Sequence, residues 1–210
     1  MLLHRFYLNL RCKQARRDLS DPYQMHATLC RAFSPPEQKC PAGEFLWRLE
    51  PETDSEGNPR ILVQSRSMPD WFRIGTPNWF FQEPDPAINL RERLGLAILE
   101  KERRFRYRLR ANPSVCSKGK RLGLFKREDQ ISWFSRKGEL HGFTFETIHL
   151  SQESMTRGER NNGGVISVFS VLFDGVLKVK DPEKFRQVVD SGIGHGKALG
   201  LGLLSVIPVS

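Results

Sequence analysis

Arg104-Phe105-Arg106-Tyr107-Arg108-Leu109-Arg110-Ala111 alternates a cation with an apolar residue for eight positions. Period 2 is the signature of a half-buried strand, so Phe105, Tyr107, Leu109 and Ala111 are expected to face a core and the four arginines to face out. Successive arginines on that face would stand roughly 6.6 Å apart, close to the phosphate spacing of a nucleic-acid backbone. The guanidinium fork suits phosphate oxygens better than an ammonium does. Asn112-Pro113 ends the strand, and a turn carrying Lys118, Lys120 and Arg121 follows.

Outward from that strand, the charge of the chain is lopsided. The net charge of the 210 residues is +9, yet residues 1–100 hold 13 basic and 13 acidic side chains, leaving the whole excess to residues 101–210. From Lys101 to Arg127 there are 11 cations and a single acid, Glu102. Such a block repels itself unless an anion lies against it, and nucleic acid is the partner this pattern favours over a merely solvated surface. The aromatic motif that stacks unpaired bases is missing, so recognition of backbone and shape is expected. With 39% hydrophobic residues a sizeable core is within reach, which excludes a largely disordered chain. No apolar run is long enough to span a membrane, and a soluble, cytoplasmic protein is expected. Cys12, Cys30, Cys40 and Cys116 form no Cys-x-x-Cys pair, so reduced thiols and no zinc site are expected.

Leu2–Leu10 reads as a strand. Asp21-Pro22 then opens a helix, with Asp21 as N-cap, Pro22 in the first position and Met25, Leu29, Ala32 and Phe33 as its buried stripe. Phe45–Glu50 and Ile61–Ser65 read as a hairpin, and Ile88–Glu100 as a linking helix after a proline-rich stretch. In the second half a helix is expected over Arg127–Lys137, stopped by Gly138. A strand Gly142–Leu150, a polar loop Ser151–Gly164 and a strand Val165–Phe173 follow, with an Asp174-Gly175 hairpin turn into Val176–Val179. Asp181-Pro182 opens the last helix, and Leu203–Ile207 closes the chain as a strand. Both halves give βαββαβ order, hence an α+β protein of two tandem ferredoxin-like domains: 1–88, a linker 89–101, and 102–210.

Tyr23 and His26 are three apart in the first two turns of the opening helix, so they share a flank. Free N–H groups and the positive dipole end make that terminus a natural phosphate seat, and the dipole keeps the imidazole neutral and able to accept a proton. A neutral histidine beside a phosphate, with a phenol nearby, fits RNA cleavage by the adjacent 2′-OH. Spacing alone also suits a partly buried His and Tyr packing the helix edge, and that plainer reading is the one it favours. Cys30, one turn on, lacks a third orienting group for a Cys–His nucleophile pair. The glycine-rich run Gly192 to Gly202 follows a helix and precedes a strand, so it is no dinucleotide fingerprint; Gly194, Gly196 and Lys197 could cradle a phosphate or allow close packing. Arg157 and Arg160 sit in the polar loop, where they could enter a nucleic-acid groove or stand in solvent. No acidic cluster of the two-metal kind is visible, so no cofactor and no metal are expected.

Asp21-Pro22-Tyr23-Gln24-Met25-His26, Phe105-x-x-x-Leu109-Arg110-Ala111-Asn112-Pro113, Gly119-Lys120-Arg121-Leu122-Gly123-Leu124 and the terminal Gly-His-Gly-Lys-Ala-Leu-Gly-Leu-Gly-Leu-Leu-Ser together resemble the CasE family, the endoribonucleases that process CRISPR precursor RNA in type I-E systems. The resemblance implies tandem ferredoxin-like domains and metal-independent cutting at the 3′ base of each repeat hairpin, with 2′,3′-cyclic phosphate and 5′-OH ends. It makes Tyr23 and His26 the catalytic pair and so reverses the reading that spacing favours. It further implies phosphate-gripping roles for Arg31, Lys197 and the glycine loop, a stem-groove role for Arg157 and Arg160, retention of the cut RNA, and other Cascade subunits as partners. A non-catalytic subunit that caps an RNA hairpin is the rival expectation, and a DNA-binding regulator a more distant one.

Overall fold

The computed structural model describes residues 1–159 and 164–209. It falls into two compact units: Met1–Leu90 with Arg157–Ser167 and Ala198–Gly200, and Arg91–Thr156 with Val168–Lys197 and Leu201–Ser210. No helix among the described residues is long and apolar enough to cross a membrane.

In the first unit β1 (Leu2–Tyr7) leads to α1 (Lys13–Ser20), α2 (Pro22–Phe33), the hairpin β2 (Phe45–Thr53) and β3 (Pro59–Ser65), and the two-residue β4 (Ile88–Asn89). The strands lie in the order β2-β3-β1-β4, and each pair is antiparallel, which is the ferredoxin-like arrangement. The helix expected to cross back before β4 is reduced to one 3-10 turn, Trp71–Ile74, in a stretch broken by Pro69, Pro77, Pro84 and Pro86. Aromatic rings fill the space instead: Phe6, Trp71, Trp79 and Phe80 meet edge-on or tilted at 4.8–5.6 Å.

His4, on β1, is fully buried, with its Nε2 3.1 Å from Ser65 Oγ and its ring edge-on to Trp71. Burial pushes the imidazole down to about 4. The unfolded chain takes up that proton near pH 6.5, whereas the folded chain does so only near 4. Stability is therefore fully present above pH 6.5 and falls, by on the order of 3 kcal/mol, as the pH drops toward 4. The expected result is a urea midpoint that declines across that window in the wild type and declines less in His4→Gln.

The second unit contains α3 (Leu90–Arg93), which starts on the last residue of the first, then β5 (Arg104–Ala111), the hairpin β6 (Ser114–Ser117) and β7 (Lys120–Gly123), α4 (Arg127–Leu140), β8 (Phe143–Glu159) and β9 (Val165–Val179) apart from their adjoining ends, which belong to the first unit, α5 (Pro182–Ser191) and β10 (Leu204–Pro208). Its sheet order, β10-β5-β9-β8, repeats the ferredoxin-like pattern, with β5 between two antiparallel neighbours. Phe105, Tyr107, Leu109 and Ala111 are all buried, as the alternation requires. Asp21 and Asp181 cap their helices as expected, accepting from Tyr23 N at 2.9 Å and from Glu183 N and Lys184 N at 3.1 and 3.2 Å.

Several boundaries differ from the sequence reading, each for a local reason. The helix expected over Ile88–Glu100 is broken after Arg93 because Gly95 adopts a left-handed φ of +61°. α4 runs through Gly138, which sits where a Cβ would come 2.8 Å from the Phe143 carbonyl; the left-handed residue that ends it is Gly142. The segment read as a polar loop from Ser151 is strand up to Glu159. Asp174-Gly175 is no turn: both residues lie inside β9, opposite Arg108 and Tyr107. Gly175 is glycine because a Cβ there would stand 2.2 Å from the Thr147 carbonyl, which accepts from the Tyr107 hydroxyl at 3.2 Å.

Candidate functional site

In the first unit, three segments that the sequence singles out separately meet at one backbone position, Gly158 near the end of β8. A Cβ built there would lie 2.5 Å from Tyr23 Cδ2 and 3.2 Å from both Asp21 Oδ1 and Leu199 Cδ2. The start of α2, the far end of β8 and the 3-10 turn of the glycine-rich run (Lys197–Leu199) are therefore in contact. Gly200, with a left-handed φ of +76°, lets the same run lie against the face of Trp47, 3.0 Å from the position a Cβ would take.

Tyr23 and His26 are both half-buried on α2. The His26 ring packs tilted on Phe45, centroids 5.1 Å apart, and its Nε2 faces Cys30 Sγ at 3.7 Å. Its Nδ1 is buried and has no hydrogen-bond partner among the described residues, whichever tautomer is drawn. Burial holds the imidazole below the usual histidine range, so the ring is neutral at neutral pH and retains one lone pair. Burial, reinforced by Cys40, pushes the Cys30 thiol up to about 12. The pair thus lacks the thiolate that nucleophilic catalysis needs, and the thiol serves His26 only as a weak neighbour.

Arg31 is exposed one turn further on, its Nη2 donating to Thr28 Oγ1 at 3.2 Å. Thr28 in turn hydrogen-bonds the buried Asp18 of α1, which also accepts from Trp79 Nε1 at 2.8 Å and Gln14 Nε2 at 2.7 Å. Burial raises the Asp18 carboxyl, and these donors and Arg31 work against that rise. Arg157, exposed on β8, belongs to the same unit; Arg160 lies outside the described residues.

The second unit carries the other candidates. On the outer face of β5, Arg104 pairs with Glu146 at 2.6 Å, Arg108 with Asp174 at 2.7 Å, and Arg110 donates to Gln152 Oε1 at 2.6 Å. Part of the counter-charge that the basic block demands is therefore supplied by the sheet itself, whereas the sequence reading assigned it to a partner. Arg106 is exposed, as are Lys118, Lys120 and Arg121 on the β6–β7 hairpin. Lys118 and Gly119 take left-handed φ values of +48° and +73° at its two-residue tip. Gly194 and Gly196 are left-handed too, and burial lowers the neighbouring Lys197 ammonium. Among the described residues no three His, Cys, Asp or Glu side chains are placed to hold a metal ion.

Both units thus have the ferredoxin-like strand order, the first with a neutral imidazole and a phenol at a helix start and the second with a basic strand. The family described as "CRISPR associated protein" matches residues 1–208. The CRISPR-associated endoribonuclease Cse3 of Thermus thermophilus is 36% identical over 224 residues, covering 99% of this chain and 100% of that one. The Cascade subunit CasE of Escherichia coli is 30% identical over 210 residues, covering 93% and 96%. A solved structure of Cse3 bound to a 19-nt RNA superposes with a TM-score of 0.85 at 34% identity, over 99% of this chain and 100% of that one. The chain belongs to this family of CRISPR-associated proteins, alongside the Cse3 and CasE endoribonucleases.

Proposed function

We propose that the chain is the endoribonuclease of a CRISPR system: it cuts repeat hairpins in precursor RNA without a metal and keeps the guide RNA within a Cascade-type complex in the cytoplasm. The relatives named Cse3 and CasE, similar over nearly the whole chain, support the activity and the assembly. The observation that carries the chemistry is the start of α2, where Tyr23 and the neutral His26 share one flank of a helix capped by Asp21.

In the reaction the 2′-OH loses its proton, its oxygen attacks the adjacent phosphorus, and the bond from phosphorus to the 5′ oxygen breaks. The products are a 2′,3′-cyclic phosphate and a 5′-OH, the leaving oxygen having gained a proton. His26 moves one of these protons, from the 2′-OH or to the leaving oxygen, and Tyr23 orients the phosphate. Arg31 and Arg157 grip the RNA from the first unit, and Arg160, outside the described residues, is assigned the same role. Arg104, Arg106, Arg108, Arg110, Lys118, Lys120, Arg121, Gly194, Gly196 and Lys197 do so from the second.

The test is a repeat hairpin incubated with the protein in chelator, beside the same RNA with a single 2′-deoxy sugar at the scissile position. The all-ribose hairpin should be cut to cyclic-phosphate and 5′-OH ends, and the deoxy one spared. Cleavage of the deoxy substrate, or loss of cleavage in chelator, would reject this chemistry. Binding without any cleavage would instead mark a hairpin-capping subunit.

A further inference from the structure

In the second unit, α4 and the glycine-rich run are joined through one indole. The ring edge of Trp133 stands 3.6 Å from the Cβ position of Gly194, and Lys137 Nζ lies 5.9 Å from the centroid of the same residue's ring. Lys197 Cγ is 3.5 Å from the Cβ position of Gly202, a residue pinned by Ile193 N donating to its carbonyl at 2.8 Å. From the β6–β7 hairpin, Arg121 donates to Ser114 Oγ at 3.3 Å.

Lys137 reaches the glycine-rich run through Trp133, and Lys197 stands two residues along that run from His195, which is exposed between Gly194 and Gly196. Burial first, then Arg121, Lys137 and Lys197, hold its imidazole below the usual range; burial, Lys137 and Lys197 do the same to His141. Arg104 and Arg108 have carboxylates, but among the described residues no acid lies within 4.0 Å of Arg121, Lys137 or Lys197. Three like charges gathered without a counter-ion raise the free energy of the empty protein, and an anion relieves it. The left-handed glycines on either side of His195 add backbone N–H groups of the kind that hold phosphates.

We infer that Lys137 and His195 join Arg121 and Lys197 in a seat for one phosphate of the RNA backbone. The inference rests on reading the chain as an RNA-cutting protein, and it adds two residues to those that touch RNA. A phosphate in the seat favours the imidazolium, so binding near neutral pH draws a proton onto His195.

Lys137→Gln is the test, with the non-cleavable 2′-deoxy hairpin as ligand and affinity measured across a salt series. Affinity should fall about tenfold, and the slope of log K against log salt should flatten by about 0.7–0.9. The melting temperature should change little, because relief of the like-charge repulsion and loss of the Lys137–Trp133 ring contact oppose each other. Unchanged affinity and slope would overturn the inference. As a second arm, the His195 ring protons are followed by NMR while inorganic phosphate replaces chloride at constant ionic strength. A shift toward the imidazolium is expected in the wild type and not in Lys137→Gln. Weaker RNA binding without that phosphate-dependent shift would place Lys137 on RNA elsewhere and reject the seat. If the wild type binds no hairpin at all, the proposed function fails, while the phosphate arm still decides the inference.

Discussion

Replacing His26 with alanine should lower the cleavage rate of the repeat hairpin by on the order of 10²- to 10⁴-fold, the usual cost of removing a positioned proton carrier. Hairpin binding should change by no more than a few-fold, because the neutral ring contributes no charge to the contact. Single-turnover cleavage and a filter-binding curve on the same RNA separate the two effects. Wild-type cutting by the alanine variant would remove His26 from the chemistry. The pH profile then tells base from acid. Burial places the ring below 6.5 in the free protein, so as a base it is already in its working form at neutral pH. The ratio kcat/KM, which reports the free enzyme, should be flat through neutrality and fall as the pH drops past the depressed value. An acid role would give the opposite limb, a rate that falls as the pH rises through that value. The base is the form that burial stabilises, so the acid-side limb is the expected result.

What the sequence made legible was whatever carried its own local signal. The β5 alternation and the two Asp-Pro caps each name their structure within a few residues, and all three are present. α1 is absent from the sequence reading because its fully buried positions are Ala15 and Asp18, with Leu19 half-buried beside them: one methyl, one carboxylate and a single leucine do not make an apolar stripe. The buried Asp18 carboxyl is satisfied in part by Trp79, 61 residues away, beside Gln14 and Thr28. Asp174-Gly175 has the composition of a hairpin turn, yet Asp174 is claimed by Arg108 and Gly175 by a carbonyl of β8, both distant partners. The site divides in the same way. Tyr23 and His26 were visible as a pair, but spacing alone could not separate packing from chemistry; only the resemblance did. Glu146 and Asp174 as counter-charges, and Lys137 beside the glycine run, depend on the sheet and helix being folded against one another. A glycine among polar residues at 158 gave no signal at all.

Gly158→Ala should cut the hairpin about 10- to 100-fold more slowly than the wild type, although it adds a single methyl to a segment distant in sequence from the opening helix. β8 passes over the Tyr23 ring with a clearance that only hydrogen fits, 2.5 Å from the Cβ position to Cδ2. Ordinary carbon contacts need about 1 Å more, so the ring or the strand has to move by that amount. Displacements of this size at a group that aligns a reacting phosphate cost up to about 10² in rate. Asp21 Oδ1 and Leu199 Cδ2, each 3.2 Å from the same point, close the other directions of retreat. If the methyl acts through Tyr23, its cost should nearly vanish in a Tyr23→Phe background that has already lost the hydroxyl, a non-additive double-mutant cycle. If it acts by lifting β8, the loss should persist in that background and appear in RNA affinity through Arg157. Full activity in Gly158→Ala would mean that the phenol's position is immaterial, and would leave the imidazole to do the chemistry without it.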